Sequence, residues 1–61
     1  PKTFVVEGMP NDGFEIDHWE IIGANSAGAE IIGSEFNNNV VIRVSDIGTT
    51  TVKAFWQTSD I

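Results

Sequence analysis

The chain of 61 residues contains no cysteine, no tyrosine and only one histidine, His18. Without cysteine there can be no disulfide bond and no cysteine metal site, and one histidine cannot form a histidine-rich metal cluster. No other constellation of residues supports a metal or a cofactor, so we expect neither. A chain this short hides only roughly 60% of its unfolded surface, and small domains often compensate with disulfides or metals, so we expect marginal stability.

Positive charge is also scarce. Lys2, Arg43 and Lys53 stand against nine acidic residues, which leaves a net charge of −6. Nucleic-acid binding and binding to anionic membrane surfaces both depend on clustered Lys and Arg, so both are disfavoured. No apolar run approaches the roughly 20 residues that a spanning helix needs. We expect no nucleic-acid partner and no membrane insertion.

The length suits one domain, which we assign to residues 1–61. No signal peptide is visible, and the chain begins with Pro1 rather than methionine. We interpret the chain as a fragment or module of a larger protein.

Short runs of β-branched and aromatic residues alternate with turn residues along the whole chain. Helix is disfavoured because Gly28 and Gly33 interrupt the one alanine-containing stretch. Strands at spacings near ten residues are typical of a sandwich or barrel, so the predicted fold class is all-β, a small antiparallel β-sandwich. The predicted strands cover residues 3–7, 14–22, 29–32, 40–45 and 49–57. The last two flank a short polar break and are predicted to pair as a hairpin.

Because side chains alternate between the two faces of a strand, the apolar positions indicate which face is buried. In the last strand Val52, Ala54 and Trp56 share one face, and Phe55 lies on the other. The predicted core consists of Trp19, Ile21, Ile31, Val40, Ile42, Val44, Val52, Ala54 and Trp56, with Phe4 and Val6.

Segments 3–10, 18–24, 29–33, 40–44 and 48–54 together resemble bacterial immunoglobulin-like modules of the PKD-like type. In these modules a tryptophan strand precedes a small-residue loop, and a Gly-Thr-Tyr-Thr-Val-type strand lies near the end. Here Thr50 stands where the tyrosine is usual, so the phenolic hydroxyl that makes the usual corner hydrogen bond is absent. The first edge strand and the last strand of such a module have no counterpart in the chain.

The resemblance implies an immunoglobulin-like antiparallel β-sandwich that lacks edge strands. It also implies a non-catalytic spacer, stalk or decoration in a surface, secreted or virion protein. An extracellular, cell-surface or virion location follows as an expectation, with a protein partner or neighbouring domains.

Acidic residues next to the histidine raise two catalytic or binding hypotheses. His18 beside Asp17 and Glu20 suggests acid–base chemistry, but no nucleophile motif accompanies it, and a solvated histidine on an outer sheet face is preferred. Asp12, Glu15 and Asp17 could bind calcium, yet their spacing is not that of an EF-hand. We expect no enzyme.

Phe55 is the one large apolar residue that the alternation leaves without a partner in the core. If the strand of Trp19 neighbours it, an apolar patch forms on the outer face, where Lys53 could pair with Glu20. The residues of this candidate partner contact are Phe55, Lys53, His18, Ile16 and Ile22.

The sequence therefore predicts a structural or protein–protein interaction module. The alternative is a carbohydrate- or small-ligand-binding accessory module. That alternative requires Trp19 or Trp56 to line a groove instead of the core.

Overall fold

The computed structural model describes residues 1–59, which form five β-strands and no helix. The strands are β1 (Lys2–Glu7), β2 (Phe14–Ile22), β3 (Glu30–Ile32), β4 (Asn39–Val44) and β5 (Thr51–Thr58). The all-β prediction is confirmed, and each predicted strand is present with its ends displaced by two residues at most. Within this range no helix is long and apolar enough to cross a membrane.

The strands form two antiparallel sheets. One sheet has the order β1-β4-β3, and the other consists of β2 and β5. The predicted hairpin between the last two strands is therefore wrong, because β4 and β5 lie in different sheets. Their connection crosses between the sheets and is held by the loop before β3: the Ser45 and Asp46 amides both donate to the Ala27 carbonyl, at 3.1 and 3.0 Å.

The core lies between the two sheets. Its buried residues lie on β2, on β4 and in the loop before β3: Ile16, Trp19, Ala29, Val40 and Ile42. The partly buried residues packed against them are Val6, Ile21, Ile31, Val44, Val52 and Ala54. Nine of the eleven predicted core residues thus contribute to the core.

A β-bulge in β2 explains why Ile16 is buried, although the alternation placed it on the outer face. The pairing with β5 shifts between Ile16 and His18, so Asp17 is an extra residue on this strand. An inserted residue reverses the alternation on one side of it. Ile16 therefore faces inward together with Trp19, three positions away.

Phe4 and Trp56 were predicted in the core, but they are 50% and 43% exposed. Both face inward, since Phe4 pairs with the buried Ile42 and Trp56 pairs with the buried Ile16. Their exposure follows from their position. Each lies on a strand at the edge of its sheet, where the opposite sheet gives incomplete cover.

The turn before β2 depends on Gly13, whose φ is +86°. Residues with a side chain rarely adopt this conformation, whereas glycine does so without steric cost. The turn is closed by the Phe14 amide, which donates to the Asn11 carbonyl at 3.1 Å. Beyond it, the Ser59 amide donates to the Gly13 carbonyl at 2.9 Å, so the turn also fixes the end of β5.

Replacing the buried tryptophan should destabilise the protein far more than replacing the exposed one. Trp19 is 4% exposed, so Trp19→Ala should lower the free energy of unfolding by about 3–5 kcal/mol. Trp56→Ala is the matched control and should cost clearly less. Urea denaturation followed by circular dichroism measures both, and equal losses would contradict the placement of Trp19.

Thr50 carries a buried hydroxyl oxygen for which no hydrogen-bond partner is present among the described residues. An unsatisfied buried polar group is costly, and valine has nearly the same shape without it. Thr50→Val should therefore raise the free energy of unfolding by about 1 kcal/mol. Thermal melting measures the change, with Thr51→Val on the neighbouring exposed position as the control. A loss of stability in Thr50→Val would show that the hydroxyl is bonded.

Candidate functional site

The outer face of the β2-β5 sheet carries the predicted contact residues. His18 and Phe55 are cross-strand partners, and their rings stack with centroids 4.6 Å apart and an interplanar angle of 3°. The Lys53 ammonium lies 4.9 Å from the centroid of the Phe55 ring. Phe55 is therefore half-buried by two neighbours on its own face, and it is not the isolated apolar residue that the alternation suggested.

Two carboxylates hold the imidazole of His18. Its Nδ1 lies 2.5 Å from Asp17 Oδ2, and its Nε2 lies 2.6 Å from Glu20 Oε2. Two hydrogen bonds raise the pKa of His18 above its ordinary value of 6.5. The bond with Glu20 has the larger effect, and the bond with Asp17 has the smaller one. A protonated imidazole donates from both nitrogens, so neither retains a lone pair with which to accept a proton from a substrate. In this arrangement both ring nitrogens of His18 are held by carboxylates on the sheet face.

The structure brings together most of the candidate contact residues. His18, Lys53 and Phe55 form one cluster, and alternation with His18 and Glu20 places Ile22 at the end of the same face. Ile16 does not belong to this surface, because the bulge turns it into the core.

The suggested ion pair between Glu20 and Lys53 is not among the ion pairs that the described residues form. The two residues are directly opposite in the strand register. The Glu20 carboxylate is engaged by His18, however, while the Lys53 ammonium lies over Phe55.

A second surface was not predicted from the sequence. An open cleft of about 250 Å³ is lined by Met9, Pro10, Asn11, Phe14 and Trp56. Phe14 and Trp56 meet there because they occupy neighbouring positions of the β2-β5 register. The sequence signal that could have indicated this cleft is the turn-rich segment after β1, which is directly followed by an aromatic residue.

A third surface is the outer face of the three-stranded sheet. Val5, Val41 and Ile32 are consecutive partners across β1, β4 and β3, so they form an apolar row over all three strands. Val5 is the most exposed of the three, at 67%. The neighbouring row is polar, and in it the Arg43 guanidinium forms an ion pair with the Glu30 carboxylate.

The structure provides no support for the calcium hypothesis. In the described range, residues 1–59, no three His, Asp or Glu side chains are placed to share a metal ion.

Comparison with known proteins adds no assignment. No protein-family model, no curated protein and no solved structure matches the chain.

The ion pairs of His18 should make stability depend on pH. Because the folded state raises the pKa of His18, this group stabilises the fold fully below pH 6.5. That contribution is lost as the pH rises through the raised pKa. An NMR titration of the imidazole protons should give a midpoint above 6.5, and Glu20→Gln should bring it closer to 6.5. A midpoint at or below 6.5 would rule out the paired imidazolium.

Proposed function

We propose that the chain is a non-catalytic protein–protein contact module with an immunoglobulin-like arrangement of strands. An immunoglobulin constant-type sandwich has strands A, B, E and D in one sheet and C, F and G in the other. In chain order β1 to β5 fill positions B to F, so that β1-β4-β3 corresponds to B-E-D and β2-β5 corresponds to C-F. This order supports the proposed architecture. The positions that residues 1–59 leave unfilled are those of strand A beside β1 and strand G beside β5.

The observation that carries the proposal is the state of these two edge strands. Each pairs along one edge only within the described residues, and each has an inward-facing aromatic side chain, Phe4 or Trp56, that is about half exposed. Exposed strand edges are templates for pairing with another chain. We place the contact at these edges and not at the Phe55 cluster, because His18 and Lys53 already cover that ring.

A spacer or decoration in a surface, secreted or virion protein fits such a module. That location rests on the family resemblance, and it forms part of the proposal.

The cleft beside Trp56 favours a second candidate, the binding of a carbohydrate or another small ligand. The half-exposed indole of Trp56 and the ring of Phe14 offer apolar surfaces, and Asn11 offers an amide that can donate and accept. Ligand sites commonly combine an apolar lining with a few polar groups. The cleft is open, and its one amide side chain provides little to orient a sugar.

NMR titration of the labelled chain separates the two candidates. The probes are extended peptides with alternating apolar and polar residues, and soluble oligosaccharides. The contact-module proposal predicts that peptides shift the amide signals of β1 or β5, and that oligosaccharides leave the spectrum unchanged. Saturable shifts around Asn11, Phe14 and Trp56 with an oligosaccharide, lost in Trp56→Ala, would replace the proposal with the ligand-binding alternative.

A further inference from the structure

The free edge of β1 presents a defined set of backbone groups. The Gly8 amide donates to the Asn38 carbonyl at 2.9 Å, directly beyond the last pair of the β1-β4 ladder. Hydrogen-bonded and non-hydrogen-bonded pairs alternate along an antiparallel ladder, so the even-numbered residues of β1 bond to β4. The N–H and C=O groups of Thr3, Val5 and Glu7 therefore point away from the sheet.

Both faces of this edge are apolar at its centre. Val5 is 67% exposed on the outer face, and Phe4 is 50% exposed on the inner face. Natural edge strands usually carry charges, prolines or bulges that discourage pairing. In β1 the charged residues, Lys2 and Glu7, stand only at the two ends.

We propose that two copies of this chain associate by antiparallel pairing of their β1 strands, with Val5 facing Val5 across a two-fold axis. The pairing forms one continuous six-stranded sheet of order β3-β4-β1-β1-β4-β3. This inference rests on the proposed function, and it names the partner as a second copy.

The strand is complementary to itself in this register. Val5 forms a hydrogen-bonded pair with Val5 of the other copy, and each Thr3 forms one with the opposite Glu7, which gives six new backbone hydrogen bonds. Phe4 of each copy then lies opposite Val6 of the other copy. These are the non-hydrogen-bonded pairs of the new ladder, in which opposite side chains lie closer together. The half-exposed inner surface of Phe4 is covered as a result.

The outer face also continues across the axis. The row of Ile32, Val41 and Val5 meets its own image and becomes one apolar stripe of six residues. The register places each Glu7 opposite Thr3 and so keeps the two Glu7 side chains apart. Thr3 is itself the neighbour of Arg43, whose guanidinium is paired with Glu30 in the same row.

The shape of the molecule leaves space for this contact. Phe4 faces inward and is nevertheless half exposed, so the two-stranded sheet stops short of β1. The three-stranded sheets of two copies can therefore pair edge to edge without contact between the two-stranded sheets of those copies. The strand itself carries one positive and one negative charge, so repulsion between copies comes from residues outside it.

The association should be weak and should strengthen with salt. A single strand pair buries less than the roughly 1,200–2,000 Å² of a standard interface, so we expect a dimer at about 0.1–1 mM chain. The net charge of −6 on each copy opposes association, and salt screens that repulsion.

Sedimentation equilibrium from about 10 µM to about 2 mM chain tests the proposal. The wild-type chain should approach twice the monomer mass, and Val5→Lys should weaken association at least about tenfold, because it places like charges opposite each other. Thr51→Lys is the matched control, since it adds the same charge at an exposed residue on the outer face of the β2-β5 sheet, and it should dimerise like the wild type. A monomer at every concentration, or equal behaviour of the two variants, would overturn the proposal.

Hydrogen exchange of the wild-type chain tests the register without any substitution. The amides of Thr3, Val5 and Glu7 should exchange fast in dilute solution and become protected at high concentration, while those of Phe4 and Val6 should be protected in both. Concentration-dependent protection in β5 instead of β1 would overturn the proposed interface. A monomeric chain whose edges still bind extended peptides would refute the dimer and leave the contact-module function standing.

Discussion

The attachment of Trp19 to the strand connection between β3 and β4 is the interaction on which the rest of the fold depends. Its side chain is buried between the sheets, and its indole N–H donates to the Asn37 carbonyl at 2.9 Å. Its backbone amide donates to the Glu35 carbonyl at 2.9 Å. One residue thus fills the core and ties the two-stranded sheet to the segment that leads into β4. This attachment matters because a lone two-stranded ribbon is marginally stable in water, so β2 and β5 depend on their contacts with the rest of the chain.

The same attachment decides which surfaces remain open. Since the Glu35 segment approaches one edge of β2, the free edge of the two-stranded sheet is that of β5. The three-stranded sheet has β1 as its long free edge. A two-stranded sheet leaves part of a three-stranded sheet uncovered, and the half-exposed, inward-facing Phe4 on β1 fits this. The proposed dimer follows from this unequal width.

The outer face of the narrow sheet illustrates how polar groups stabilise an exposed aromatic residue. Stacking of His18 on Phe55 and the position of Lys53 over the same ring depend on the strand register. Asp17 reaches His18 because the bulge places it beside the ring, and Glu20 does so from two residues along the strand. The cluster satisfies its own charges, which is why it makes a poorer contact surface than the edges.

The strands were predicted correctly from the sequence. The predictions failed where pairing or packing between distant segments changed the local pattern of side chains. The five strands and most of the core followed from alternation and turn residues. The placement of Ile16 failed because the bulge reverses the alternation, and no residue type at Asp17 marks a bulge. The hairpin prediction failed because a short polar connection suits a tight turn and a sheet-to-sheet crossing equally well. The cleft beside Trp56 was missed because the residues that line it come from both ends of the chain.

What the sequence determined by itself is therefore local: an all-β chain, its strand segments, and the absence of cysteine and of clustered basic residues. These features depend on intrinsic conformational preferences and composition, which act within a few residues. Only the tertiary structure decided which strands pair, which aromatic residues are buried and which edges stay free. Those outcomes depend on hydrogen bonds and packing between segments that are distant in sequence, such as Trp19 with Asn37 and β1 with β4.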